Sequence, residues 1–201
     1  GLQAGNGVHQ FPAMGTETGH TLKPLADLIG LTARSHGTSL RVCQAYLNGT
    51  PSYAGTPRPM STAVLYPMAL LRVADYFQID RQRAPAVLLQ LRSPQSPVSV
   101  QEWQKHQAVL SIDPATDTRA KRITVSEHLS LELFLQLRDL LAGLQSELDH
   151  SAAVLGEAYG AQTVLGLHQL SLAIHRVYSN LCSPTFRGGL PFVTERTGFS
   201  A

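Results

Sequence analysis

Asp75 sits in the run Leu70-Leu71-Arg72-Val73-Ala74-Asp75-Tyr76-Phe77, a carboxylate among apolar residues at helical spacing. A charge withdrawn from water is costly unless it is paired or bound to a cation, so this position calls for a partner. Two answers stand open from spacing alone: Arg72 or Arg81 neutralises it, or it ligates a metal. His36 follows Ala33-Arg34-Ser35 and precedes Gly37, at the expected end of an earlier helix. An imidazole there can cap the helix through the macrodipole, or it can bind a metal and relay a proton.

Weaker groupings follow. Glu147, Asp149 and His150 are close in the chain, but their offsets do not share one helix face, and a solvated edge is expected. The basic run Arg119-Ala120-Lys121-Arg122 is expected on a turn, and Arg187-Gly188-Gly189 is too short for a phosphate loop. Trp103, the single tryptophan, is expected to pack on the helical body, with stacking on a ligand as the alternative. No Gly-x-Ser-x-Gly elbow is present.

The elements that must position these residues are mostly helical. Leu22, Leu25, Leu28, Ile29 and Ala33 predict a helix running to about His36, with a second over 38–48. Ser61 to Ile79 predicts a third, in which Pro67 either kinks the helix or marks its true start. A short helix over Arg83 to Leu91 and a further turn around Glu102 to His106 follow. The period then drops to two, and 108–112 with 123–125 predict paired strands. From Ser130, the stripe Leu133, Leu137, Leu140, Leu144, Leu148 predicts a long helix. A second stripe, Leu167, Leu170, Ile174, Val177, Leu181, predicts an antiparallel partner helix, with Gly156 to Gly160 as the turn. The expected architecture is mainly α: a helical core, one β-hairpin and a C-terminal long helical pair. Its expected divisions are a flexible 1–20, a core over 21–106, a hairpin over 107–126, a helical pair over 127–182 and a linker over 183–201.

Bulk properties bound the function. The 201 residues carry 16 Lys+Arg against 14 Asp+Glu, a net charge of +2 that gives no general case for nucleic-acid binding. A hydrophobic fraction of 43% suffices for a real core and excludes general disorder. Cys43 and Cys182 match neither a disulfide framework nor a cysteine-based zinc site. The stretch Met68 to Leu71 is cut by Arg72, so no membrane span is expected; a reducing cytoplasm is the expected compartment. A chain that starts at Gly1 and closes on Thr197-Gly198-Phe199-Ser200-Ala201 reads as a piece of a longer polypeptide.

Taken together, a helix ending in His36-Gly37 and the later run Leu70-Leu71-Arg72-Val73-Ala74-Asp75-Tyr76-Phe77-Gln78-Ile79-Asp80-Arg81 resemble the second half of an HD-domain phosphohydrolase. The resemblance implies that Asp75 is the final metal-binding aspartate and that His36 lines the same pocket. It also implies that Arg72, Arg81 and Arg83 lie where a ligand phosphate is held. A divalent ion (manganese, iron or magnesium) would then activate water for hydrolysis of a nucleotide or phosphoester. The segments Glu102 to His106, Glu147 to His150 and Val177 to Leu181 further resemble a bacterial subclass in which an HD domain lies upstream of an Hsp90-like ATPase. The implied partners are the upstream HD helices and that downstream ATPase module, and the long apolar stripes allow a homodimer.

The chain departs from the pattern in one decisive respect: it contains no His-Asp dipeptide, and His9-Gln10 is the nearest upstream substitute. Either the first helices precede this segment or the site is degenerate, and this chain alone is not expected to hydrolyse anything. The alternative reading is a degenerate HD scaffold or sensor. An unrelated helical interaction domain is the third.

Overall fold

A computed structural model describes residues 23–54, 62–85, 87, 96–160 and 170–182. Helix α1 (Lys23–Ser35) tolerates Pro24 because first-turn N–H groups have no intrahelical partner. A turn closed by the Thr38 N–H donating to the Ser35 carbonyl leads into α2 (Leu40–Gly49), whose start Ser39 caps by accepting from the Val42 N–H. Helix α3 (Leu65–Phe77) has Pro67 inside its first turn, so the proline marks the start rather than a kink.

After α3, Asp80 caps a short 3₁₀ turn over Arg81–Arg83. The helix expected over Arg83 to Leu91 begins instead with this turn, and 88–91 lie outside the described residues. Helix α4 (Pro97–Ala108) opens with proline at its first position and extends well beyond the single turn expected there.

Strands β1 (Val109–Pro114) and β2 (Ala120–Val125) form the expected antiparallel hairpin, with a bulge between Val109 and Ser111. Helix α5 (Leu131–Tyr159) spans 29 residues, about 44 Å of axis. Ser130 caps it, accepting from the Leu133 N–H.

The chain is mainly helical, as the periodicity predicts, but the second member of the C-terminal helical pair is not a helix. Gly156 lies within α5 and Gly160 is its C-cap, so the expected turn belongs to the helix end. Leu167 lies outside the described residues, while Arg176–Ser179 form strand β3, parallel to β2, giving the sheet order β1-β2-β3. The physical reason is a free β2 edge beside α5. Gln145 on α5 accepts from the Val177 N–H at 3.0 Å and donates to the His175 carbonyl at 3.1 Å. Asn180 then grips both backbone groups of Val125. These bonds satisfy an extended backbone, and an apolar step of three or four does not by itself select a helix.

One core joins these elements. Helix α5 packs on α2, α3, α4 and β3, burying Leu137, Leu144, Leu148 and Leu155 against Met68, Cys43 and Ile123. Among the described residues no helix is long and apolar enough to cross a membrane.

Candidate functional site

The first ordered polar feature is centred on Arg72. The carbonyls at the C-terminus of α1 and in the turn beyond it lack helical partners. Arg72, on the facing side of α3, supplies them: its Nη1 donates to the Ser35 carbonyl at 3.0 Å and the His36 carbonyl at 3.1 Å, and also to the Thr38 carbonyl. Its other edge meets Glu147 of α5 in a fork, Nε to Oε1 at 2.6 Å and Nη2 to Oε2 at 2.8 Å. Ser151 adds a hydroxyl bond to the same carboxylate at 3.3 Å. The two side chains are 14% and 12% exposed, which makes this a largely desolvated pair. The hydrogen bond from Arg72 holds the Glu147 carboxyl below the usual carboxylate range, and the same bond raises the guanidinium above its ordinary value. Beside it, burial pushes the Cys43 thiol up, against a smaller opposing pull from the Arg72 charge.

This node changes the reading of three positions. Asp75 is exposed, so the helix face it occupies is not the buried one, and neither Arg72 nor Arg81 forms an ion pair with it among the described residues. Glu147, expected on a solvated edge, is the carboxylate that Arg72 engages. Its signal was present: it lies between Leu144 and Leu148, four residues before the buried Ser151. His36 is exposed, with Nδ1 2.8 Å from the Ala33 carbonyl; a carbonyl only accepts, so Nδ1 carries the proton.

The second feature is a cleft of about 680 Å³ where the C-terminal end of α3 and the 3₁₀ turn face α4 and α5. Asp75 and Arg83 both line it, with Trp103, Lys105 and His106 from α4 and Tyr76 from α3. Arg83 is held by Gln78, Lys105 pairs with Glu102, and Nδ1 of His106 accepts from the Asp80 N–H at 3.2 Å. That bond fixes His106 as the tautomer protonated on Nε2. The Trp103 indole Nε1 is buried without a hydrogen-bond partner among the described residues, which adds a polar demand to the packing role expected for this residue. Tyr76 is pressed on by α5: a Cβ added at Gly143 would meet its Oη at 3.1 Å.

The structure thus brings Asp75 and Arg83 to one cleft, and joins Arg72, one turn earlier on α3, to the His36 backbone. Arg81 is exposed in the 3₁₀ turn, outside the cleft lining. A resident divalent ion does not fit this donor set. Among the described residues no three His, Cys, Asp or Glu side chains converge, so neither His36 nor Asp75 has the companions that a cation of this type needs.

No curated protein and no solved structure matches the chain at a significant level. The sequence profile of one family, HD-CE, does match, over residues 14–150. That span holds α1 to α4, the hairpin and the first 20 residues of the 29 in α5, so the Arg72–Glu147 pair and the cleft fall inside it, with Ser151 just beyond. With about two thirds of its length matched, the chain belongs to the HD-CE family.

Proposed function

We propose that this chain is a non-catalytic HD-type module that regulates or scaffolds the larger polypeptide of which it is a part. The observation that supports this is the Arg72 node. The arginine of the family-like Leu70 to Asp75 run is spent on three backbone carbonyls and on Glu147, and among the described residues no metal donor set stands beside it. A guanidinium committed in this way holds three helices in register, which is a mechanical role. By the resemblance of the sequence, the module it works on is an Hsp90-like ATPase in a cytoplasmic bacterial protein.

A second reading is favoured by the state of Asp75. Its carboxylate is exposed and forms no ion pair among the described residues, so it is available to a metal if helices upstream of Gly1 supply histidines and a further aspartate. In that case the whole polypeptide is a metal-dependent phosphohydrolase of nucleotides or phosphoesters. Metal content by mass spectrometry, on this chain and on the longer polypeptide, separates the two. Absence of stoichiometric metal from both supports the regulatory reading; metal near one-to-one in the longer polypeptide overturns it.

A further inference from the structure

We infer that the cleft between α3, α4 and α5 binds a zwitterionic ligand with an apolar body, of the class of an apolar amino acid or short peptide. This rests on the reading of the chain as a non-catalytic regulatory module. Several polar groups in and beside the cleft are already engaged within the chain. Lys105 and Glu102 satisfy each other across one helical turn. Nδ1 of His106 is taken up by the Asp80 backbone N–H. Asp80, next to the cleft, accepts from the Gln82 N–H at the 3₁₀ turn.

Two opposite charges remain. Asp75 has no cationic partner among the described residues. Arg83 is held only by the neutral Gln78. The Trp103 indole N–H is closed off from solvent, so a ligand in the open cleft meets the ring of Trp103 and not its N–H. The remaining walls are apolar, from Ile79, Val98 and Leu140, with the faces of Tyr76 and Trp103. The complement of this set is an ammonium for Asp75, a carboxylate for Arg83 and an apolar body for the walls. A cavity of about 680 Å³ has room for such a molecule.

Trp103 is the only tryptophan in the chain, so its fluorescence reports on this cleft alone. The full chain is titrated with L-phenylalanine and with the dipeptide L-leucyl-L-phenylalanine. Phenethylamine, which lacks the carboxylate, and 3-phenylpropionate, which lacks the ammonium, serve as controls. The expected result is a saturable shift in Trp103 emission with a zwitterion, and binding about tenfold or more weaker for both controls. Asp75→Asn is expected to erase the preference for the ammonium, and Arg83→Gln the preference for the carboxylate, with unchanged melting midpoints. No response to either zwitterion, or equal responses to the controls, overturns the inference. So does a response confined to inorganic phosphate or a mononucleotide. The metal measurement above is independent: a silent Trp103 in a metal-free protein removes this ligand class and leaves the regulatory reading standing.

Discussion

Arg72 and Glu147 are 75 positions apart, yet they meet in a two-bonded fork at 2.6 and 2.8 Å, and the same guanidinium closes the end of α1. A single side chain therefore ties α3 to the α1–α2 turn and to α5. Such an arrangement makes the arginine worth more than its carboxylate partner, because its removal takes the donor from the His36 and Thr38 carbonyls and strands an anion, while the Ser35 carbonyl keeps its bond from the Thr38 N–H; loss of the glutamate strands one cation. Glu147→Gln is expected to cost about 2–4 kcal/mol, somewhat less than a fully buried pair. Arg72→Ala is expected to cost more. Thermal melts check the order; equal costs would show that the carbonyl contacts contribute nothing.

The same pair gives the fold an acid limit. Glu147 is held below the ordinary carboxylate range in the folded chain, chiefly by the Arg72 hydrogen bond. A depressed folded-state value means its contribution is fully present above the unfolded-state value, about 4.3, and is lost as pH falls through the folded one. Wild-type stability is expected to fall below about pH 5, and Glu147→Gln to flatten that slope. Melting midpoints from pH 7 to pH 3 for the two proteins make the comparison.

Two glycines of α5 should respond oppositely to enlargement. A Cβ at Gly143 approaches the Tyr76 hydroxyl at 3.1 Å, while at Gly156 it meets open space. Gly156→Ala is expected to stabilise by about 0.5–1 kcal/mol through helix propensity. Gly143→Val is expected to destabilise by about 1–3 kcal/mol through overpacking against Tyr76. Denaturant midpoints of the two variants read both signs.

Asn180 stands in for a strand residue beside β2: its Oδ1 accepts from the Val125 N–H at 2.9 Å and its Nδ2 donates to the Val125 carbonyl at 2.8 Å. Asn180→Ala leaves both groups unpaired, at an expected cost of about 1–3 kcal/mol. Asn180→Asp keeps the acceptor and loses the donor, so an intermediate cost is expected. Amide hydrogen exchange at Val125 is the direct readout, and unchanged protection in both variants would refute the pairing.

Within the long stripe of α5, Leu144 is fully buried and Leu140 only partly so. Leu144→Ala is expected to cost about 2–5 kcal/mol and Leu140→Ala less. Parallel melts of the two variants test that ranking.

The sequence by itself determined the helices α1, α2, α3 and α5, because each carries its own apolar period and its own stop or cap: Gly37 after α1, Ser39 before α2, Pro67 at the start of α3, Ser130 before α5. The hairpin was equally local, since alternation and a short polar connection specify it. Its resemblance to an HD domain was carried by contiguous residues around Asp75, and the family match over 14–150 agrees with it. Only the tertiary structure decided what those residues do. Arg72 and Asp75 are one turn apart on α3, and long-range packing decides that Arg72 is covered by Glu147 of α5 while Asp75 stays exposed. Whether 176–179 coil or extend depends on a free strand edge, supplied by β2, and on Gln145, supplied by α5. The cleft around Trp103 joins residues of α3, α4 and α5, and no local spacing encodes such a meeting. Periodicity reports which face of an element seeks cover; the partner that provides the cover is settled by long-range packing.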